Sequence, residues 1–310
     1  RVFNHRARGC TVYMDGFTLI PASCGSRLKY SFLIALEHHR MTNRIPFNLK
    51  GCSLPFTPEG TAGLVTDTPH HYGGQFLYVD YRADVKEVAK FLPAPLEPDP
   101  DGRAFAVVNE LFCVPDNNPG LIHSNPERTQ YTEGLVAVRC SYKGQPGCYM
   151  PGLWVTRDWS MTFGQYFGWP KKIASVNLTR VPPLHPTLKP IGVGSDVRGT
   201  VARESRRLLD LSISLDTKEE DSVAPQFGWL YSVRFFPSMG PELPEVKQLI
   251  RNRVQNPRAI NVYSGQAHIK LGASDNEELL PLRPIEVGRG YYYNPSWTTT
   301  HSAELLETYD

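Results

Sequence analysis

The chain has 310 residues and a formal net charge of +2, from 33 basic and 31 acidic side chains. Because it has no polybasic run, this balance gives no signal for nucleic acid or an anionic membrane surface as a partner. There is also no apolar stretch of about 18 residues and no apolar core of a secretion signal near the amino end. We therefore expect a soluble, cytoplasmic protein that binds a small molecule and neither nucleic acid nor membrane.

Residues 1–50 are predicted to form an amino-terminal extension. Its one helical candidate is "SRLKYSFLIALEHHR" from Ser26. We expect a partly helical segment that packs on the main domain or on a neighbouring subunit of a homo-oligomer. The chain begins at Arg1 rather than Met, which leaves room for a removed upstream segment. Residues 51–310 are predicted to form the main domain.

The clearest helix signal in the main domain begins at Asp84. Asp84 is suited to cap the amino end, and Glu87 completes the pattern of a capping box. Apolar residues follow at helical spacing from Val85 to Leu92, and Pro93 ends the segment.

Farther along the chain, strand signals dominate. Short β-branched and aromatic runs are separated by Gly, Pro, Asn and Asp, and they read "GLVAVRCSY", "GLWVT", "LLDLSISL", "WLYSVRFF" and "AINVYSGQAHIKLGA". With 27 prolines and 25 glycines between such runs, the sequence predicts a mainly β, antiparallel protein with few helices.

The familiar site patterns are weak. "GVGSDVRG" at 192–199 has neither dinucleotide nor phosphate-loop spacing and is predicted to be a turn. The pairs His38–His39 and His70–His71 lack a second ligand cluster at metal spacing. The six cysteines match neither a zinc site nor a redox pair. We expect no metal, no cofactor and reduced, mostly structural thiols.

Residues 168–174, "GWPKKIA", place Lys171 and Lys172 side by side in an apolar setting. Most adjacent lysines lie on a solvated face and only keep a chain soluble. A lysine amine attacks a ketone only when it is neutral, and the ordinary pKa of lysine is about 10.4. Desolvation by aromatic residues such as Phe167 and Trp169 favours the neutral amine, and so does a nearby cation such as Lys172. Neighbours on a strand point to opposite faces, so we expect burial to contribute more than Lys172.

Four stretches in the same order resemble the acetoacetate decarboxylase family: "LPFTPEG" from Leu54, "YRADVKEVAKFLPAPLEP" from Tyr81, "YTEGLVAV" from Tyr131 and "GWPKKIASV" from Gly168. The likeness runs from about residue 50 to the carboxyl end. It implies a β-barrel or cone around an apolar cavity that opens near the lysine pair.

The resemblance also implies a Schiff base at Lys171, with Lys172 as its electrostatic neighbour. The protonated imine would accept the electrons released when a β-keto acid loses carbon dioxide. Glu133 matches the family's acidic residue and is the candidate for proton transfer, whereas without the resemblance it reads as a strand-surface carboxylate. Further candidates for the cavity lining are Trp169, Gln165, Tyr166, Phe167 and Tyr293; the last lies in a tyrosine run that also reads as an ordinary strand.

The sequence departs from the family at the groups expected to bind a carboxylate. Gly74 stands where decarboxylases carry an arginine, and the Gly164–Gln165 region replaces an Arg-Glu pair. Family members that act as aldolase-dehydratases tend to carry Gln four residues before the lysine, where this chain has Phe167. The remaining candidates for a carboxylate-binding cation are Arg157, Arg139 and Lys172. An arginine near Lys171 favours decarboxylation, whereas a cavity without a second cation favours proton transfer on a neutral carbonyl compound.

We therefore expect a Schiff-base-forming lyase that decarboxylates a β-keto acid or β-dicarbonyl compound, with a polyketide-like substrate of secondary metabolism as a hypothesis. One alternative is imine-mediated aldol, dehydration or cyclisation chemistry without loss of carbon dioxide. A second is a barrel that only binds an apolar ligand.

One segment carries conflicting signals. "ELPEVKQLIRNRV" from Glu242 has a helical composition, but the resemblance places a strand around Val246 to Val254. Because tertiary context often overrides intrinsic propensity, we predict the strand.

Overall fold

The computed structural model describes residues 6–7, 10–11 and 45–310. The chain divides into two compact units, residues 1–49 and 50–310. The described residues of the first unit include an antiparallel pair of short strands, β1 (Arg6–Ala7) and β2 (Cys10–Thr11). The helix predicted from Ser26 and the His38–His39 pair lie outside the described residues, so the partly helical extension stays a prediction.

The second unit consists mainly of strands, as the β-branched and aromatic runs predict. Its strands are β3 (His70–Arg82), β4 (Glu97–Pro98), β5 (Arg103–Pro115), β6 (Gln130–Tyr142), β7 (Gln145–Val155), β8 (Lys171–Ile173), β9 (Ser175–Leu178), β10 (Asp196–Arg203), β11 (Arg206–Lys218), β12 (Trp229–Phe236), β13 (Val246–Asn252), β14 (Gln255–Leu271), β15 (Glu286–Thr299) and β16 (Glu304–Thr308). The α-helices of the described residues are α1 (Val85–Phe91), α2 (Leu121–Ser124) and α3 (Asp158–Tyr166). Short 3-10 helices lie at Pro126–Arg128, Asp221–Val223 and Leu280–Leu282.

Strands β3 to β16 belong to one sheet with the order β16-β13-β12-β7-β6-β5-β3-β15-β14-β11-β10-β9, and β4 and β8 pair at its side with β6 and β7. The predicted mainly β fold with few helices is confirmed. The sheet folds over itself in the manner of the predicted barrel or cone, but it is open and mixed rather than wholly antiparallel. Two pairs, β12 with β7 and β7 with β8, are parallel. A helical crossover joins β7 to β8, as a parallel pair requires.

The central strands bury both of their faces. On β5, Ala104, Ala106 and Val108 face one hydrophobic core, while Phe105 and Val107 face another. The first core lies where β9, β10 and β11 pack across β5 and β6. The second core surrounds the cavity described below, so alternation along each strand decides which side chains reach the cavity.

The predicted helix at Asp84 is confirmed as α1. The Asp84 carboxylate accepts hydrogen bonds from the backbone N–H groups of Lys86 and Glu87, at 2.8 and 3.4 Å. These bonds satisfy amide groups that have no partner inside the helix. The helix ends at Phe91, just before Leu92 and Pro93.

The strand predicted around Val246 to Val254 is also confirmed, as β13 (Val246–Asn252). It pairs antiparallel with β12 on one side and β16 on the other. Pairing on both sides gives the segment its backbone partners and overrides the helical composition.

The cysteines whose side chains are described, Cys52, Cys113, Cys140 and Cys148, are all free, and the last three are buried. Among the described residues no cluster of His, Cys, Asp or Glu could hold a metal ion. In the same part of the chain, no helix has the length and apolar character to cross a membrane.

His70 is buried at the start of β3, and its imidazole contacts the ring of Phe163 at 4.9 Å between centroids. Burial lowers the pKa of His70 to about 4. The unfolded chain binds a proton near the ordinary pKa of about 6.5, so acid favours unfolding in this range.

We predict that His70 reduces the free energy of unfolding by up to about 3 kcal/mol as the pH falls from about 6.5 to 4. Urea titrations at several pH values measure this loss. His70→Gln should show a correspondingly shallower loss over the same range. Equal pH slopes in the two proteins would contradict the prediction.

Candidate active site

A cavity of about 250 Å³ lies against the second core. Its walls are largely aromatic, with Tyr72, Phe76, Tyr131, Trp169, Phe227, Tyr293 and Trp297 among the lining residues. Strands β3, β5, β6, β7 and β15 supply one wall, and segments around 224–230 and 253–259 supply another. The cavity therefore suits a mainly apolar ligand that meets a few polar groups.

The "GWP" sequence sets the entry of Lys171 into β8. Gly168 has a φ of +67° and follows the last turn of α3. The N–H of Gly168 donates to the carbonyl of Gln165 at 3.1 Å, and that of Trp169 donates to the carbonyl of Gly164 at 2.9 Å. These two bonds form the Schellman motif that ends many helices at a glycine. The chain then turns into β8, where Lys171 pairs with Leu153 of β7.

Lys171 Nζ lies 3.0 Å from Glu133 Oε2, and the two side chains are only 3% and 10% exposed. Nζ also donates to Ser160 Oγ of α3 at 3.0 Å. The rings of Tyr131 and Trp169 lie 5.5 and 5.3 Å from Nζ, measured to their centroids. Burial raises the pKa of the Tyr131 phenol well above its usual value, so its hydroxyl stays protonated. The amine thus has one carboxylate, one hydroxyl and two aromatic rings around it.

Gly164 of α3 leaves the space that the Lys171 side chain occupies. A Cβ at Gly164 would lie 2.5 Å from Cδ of Lys171 and 2.8 Å from its Cγ. Both distances are far below an ordinary carbon contact. The glycine therefore lets α3 pack directly on the lysine.

Lys172 does not line the cavity. Its ammonium lies 3.1 Å from Glu277 Oε1 and donates to the carbonyl of Asn276 at 2.8 Å. Adjacent strand residues point to opposite faces, and here each lysine has its own carboxylate. The expected electrostatic action of Lys172 on Lys171 is therefore offset by Glu277.

The structure brings only some of the other predicted lining residues together. Trp169 and Tyr293 line the cavity. Phe167 lies behind Trp169 and stacks on it at 5.0 Å between centroids. Gln165 and Tyr166 are exposed near the end of α3 and are not part of the lining, which corrects the expectation for both. The helix turns them outward because Phe163, Gly164 and Phe167 take the inward positions.

The predicted carboxylate-binding positions also lie outside the cavity lining. Gly74 pairs with Leu111, and its carbonyl accepts a hydrogen bond from Asn294 at 3.1 Å. The Arg157 Nε donates to the carbonyl of Gln130 at the exposed start of α3.

Arg139, the remaining arginine candidate, lines a different cavity. Two arginines that the sequence did not single out, Arg253 and Arg258, line the cavity of Lys171. Both are exposed, so they lie at its mouth rather than in its buried part. Neither has a carboxylate within ion-pair distance among the described residues.

Two lining residues carry buried polar atoms that have no hydrogen-bond partner among the described residues. They are Asn109, at both Oδ1 and Nδ2, and Trp169, at Nε1. Sequence reasoning did not identify Asn109 or Ser160, and it did not predict that Gly164 packs on Lys171. The helix α3 itself was also missed, although Gly168 followed by Pro170 is a recognisable helix-ending signal.

Comparison with known proteins relates this chain to one family. The family model described as Acetoacetate decarboxylase (ADC) matches residues 53–309. Acetoacetate decarboxylases of Burkholderia mallei and Burkholderia pseudomallei are 26% identical over 217 residues, which are 69% of this chain and 78% of theirs.

Two solved structures are similar in fold and sequence. The enduracididine biosynthesis enzyme MppR, complexed with the condensation product of pyruvate and imidazole 4-carboxaldehyde, has a TM-score of 0.78 and 26% identity. The match covers 86% of this chain and 100% of MppR. An acetoacetate decarboxylase-like enzyme from Sphingomonas wittichii RW1 has a TM-score of 0.78 and 26% identity, covering 84% of this chain and 100% of that one.

We predict that Gly164→Ala displaces the Lys171 amine from Glu133, because the new methyl group and the lysine stem cannot occupy the same space. Reductive labelling of Lys171 by a small keto acid should fall at least about tenfold. Alanine favours a helix interior over glycine by about 1 kcal/mol, so propensity alone does not predict unfolding.

Gly120→Ala is the matched control, because a Cβ there meets only Asn118 Oδ1 at 3.8 Å. Labelling of Lys171 should be unchanged in this variant. Equal labelling in Gly164→Ala and the wild type would contradict the packing argument.

Proposed function

Because the chain belongs to the acetoacetate decarboxylase family, we propose that it is an imine-forming lyase in which Lys171 attacks the carbonyl carbon of a keto acid. The observation that carries this proposal is the buried pair of Lys171 and Glu133, 3.0 Å apart in the cavity wall. Burying an ion pair in this wall carries a desolvation penalty, and the binding of an apolar ligand alone does not require such a pair.

The pair itself supplies the neutral amine. If Glu133 takes a proton from Lys171, an ammonium and a carboxylate become an amine and a carboxylic acid. The pair has zero net charge before and after the transfer, so the proton can move between the two groups without leaving an uncompensated buried charge. Nucleophilic activation therefore does not require Lys172.

The same carboxyl group serves the later steps. The amine adds to the carbonyl, and the resulting carbinolamine loses water with a proton from Glu133, which leaves a protonated imine and a carboxylate. Glu133 then removes a proton from the carbon next to the imine and forms an enamine. The enamine carbon bonds to an aldehyde carbon, and Glu133 protonates the new alkoxide to a hydroxyl. Glu133, now a carboxylate, removes a second proton from the carbon next to the imine and gives it to the hydroxyl, which leaves as water. Hydrolysis of the imine then releases the product and Lys171.

The positions of the cations favour condensation and dehydration over decarboxylation. A carboxylate that leaves as carbon dioxide must sit beside the imine, close to the carboxylate of Glu133, where like charges repel. Among the described residues, the arginines that line the cavity are Arg253 and Arg258, and both are exposed at its mouth. They suit a substrate carboxylate that points away from Glu133. The MppR complex with a condensation product supports this choice.

Decarboxylation is the second candidate, because the Burkholderia relatives are acetoacetate decarboxylases. It would proceed through the same imine, with the enamine formed by loss of carbon dioxide rather than of a proton. The polyketide-like substrate, the role in secondary metabolism, the homo-oligomer and the cytoplasmic location stay predictions.

The imine is tested by reductive trapping. Incubation with pyruvate or acetoacetate and then borohydride should attach one substrate-derived fragment per chain, mapped to Lys171 by mass spectrometry. Lys171→Ala should abolish both the adduct and the activity. Lys172→Gln is the matched control, because the Lys172 ammonium pairs with Glu277 rather than with a group of the cavity. This variant should keep the adduct on Lys171. Labels on exposed lysines alone, with Lys171→Ala fully active, would leave ligand binding as the better account.

The bond that changes is tested with isotopes. In deuterated water the protein should exchange the methyl protons of pyruvate, and it should release little carbon dioxide from acetoacetate. Glu133→Gln should slow the exchange by about 10² to 10⁴-fold, because the general base is lost. Glu110→Gln is the control, since Glu110 pairs with Arg180 outside the lining. Rapid release of carbon dioxide without proton exchange would favour decarboxylation instead.

A further inference from the structure

Asn109 is a fully buried amide in the wall of the cavity, and neither its Oδ1 nor its Nδ2 has a hydrogen-bond partner among the described residues. It lies on β5, paired with Phe76 of β3 on one side and Glu133 of β6 on the other. Buried amides are nearly always bonded, because an unpaired buried donor or acceptor is destabilising. Its free atoms therefore point to a ligand that pairs with them.

The pattern of free atoms restricts the chemistry of that ligand. Oδ1 accepts and Nδ2 donates, so the complementary group must both donate and accept a hydrogen bond. A hydroxyl or an enol does both. A carboxylate only accepts, would leave Oδ1 unpaired and would lie beside the carboxyl group of Glu133. The site therefore suits a neutral oxygen function.

The position of Asn109 also restricts where this oxygen lies on the substrate. Residues that face each other across an antiparallel pair have Cβ atoms about 4.5–5.5 Å apart, which places the amide beside Glu133. Glu133 in turn lies 3.0 Å from Lys171 Nζ. An oxygen that hydrogen-bonds to Asn109 therefore lies beside Glu133, on the same side of the cavity as a carbon that is joined to Lys171.

We propose that Asn109 binds a hydroxyl or enol oxygen on the carbon β to the imine carbon, and so selects β-oxygenated carbonyl substrates. The assignment of the oxygen to this carbon rests on the proposed function, since the imine fixes the carbon skeleton at Lys171. In the condensation described above, this oxygen is the hydroxyl of the adduct that departs as water. Glu133, the neighbour of Asn109, is placed to protonate it as it leaves.

The test compares two ligands that differ by one hydroxyl, 4-hydroxy-2-oxopentanoate and 2-oxopentanoate. Calorimetric titration measures the dissociation constant of each, whether or not an imine forms. The wild type should bind the hydroxylated compound at least about tenfold more tightly, because the analogue leaves the buried amide unpaired. In Asn109→Leu the ratio of the two constants should fall to about one. Asn109→Ala, which introduces no new bulk, should give the same ratio and covers the case in which the leucine variant does not fold.

Asn252→Leu is the matched control. Asn252 is also buried, but its Oδ1 accepts bonds from the backbone N–H of Arg253 and from Ser302 Oγ, and it is not part of the lining. This variant should have a lower Tm and an unchanged ligand ratio, whereas Asn109→Leu should not lose stability.

Two results would overturn the proposal: a ratio that persists in both Asn109 variants, or a wild type without hydroxyl preference, including one that binds neither compound. The two proposals can also be separated. If the hydroxyl preference depends on Asn109 but borohydride trapping at Lys171 fails, the imine proposal is wrong and Asn109 still binds a hydroxyl.

Discussion

The buried pair of Lys171 and Glu133 is the constraint on which the rest of the site depends. The two charged side chains are almost fully removed from water, and a buried charge that loses its partner destabilises a protein by about 3–5 kcal/mol. The pair needs β6, β7 and β8 in a fixed register, with Glu133 opposite Val155 and Lys171 opposite Leu153. The stability of the fold and the chemistry of the site therefore both require this register of the three strands.

The adjacent lysines of β8 connect the two cores of the domain. Lys171 faces the cavity and the second core, whereas Lys172 lies opposite, beside Glu277. Glu277 also accepts a hydrogen bond from Trp154 Nε1 at 3.1 Å, and Trp154 belongs to the first core. The second lysine thus anchors β8 from the outside, and its charge serves packing around Glu277. This arrangement explains why two ammonium groups are adjacent in an otherwise apolar sequence.

The sequence predicts those features that depend on local patterns or on a motif. The helix at Asp84 follows from its cap, and the strand at Val246 follows from the register of the resemblance. Other features need contacts that no local pattern encodes. The lining around 224–230 and 253–259 comes from segments far from Lys171 in the chain, and the buried position of Asn109 depends on its neighbours in the sheet. Gln165 is exposed because α3 packs on Lys171 through Gly164, and this contact turns the Gln165 side chain outward.

The cavity has different polar groups at its two ends, and this difference orients a keto acid. At the buried end, a charge can be held only with a compensating partner, so Lys171 and Glu133 compensate each other and a further carboxylate is disfavoured. At the mouth, Arg253 and Arg258 remain in contact with water and can bind a carboxylate without the same desolvation. The aromatic walls between the two ends exclude water from the amine and bind the carbon chain. A keto acid that satisfies both ends has its carbonyl carbon at Lys171 and its carboxylate outward, so the bonds within reach of Glu133 are C–H and C–O bonds rather than the bond to the carboxyl carbon.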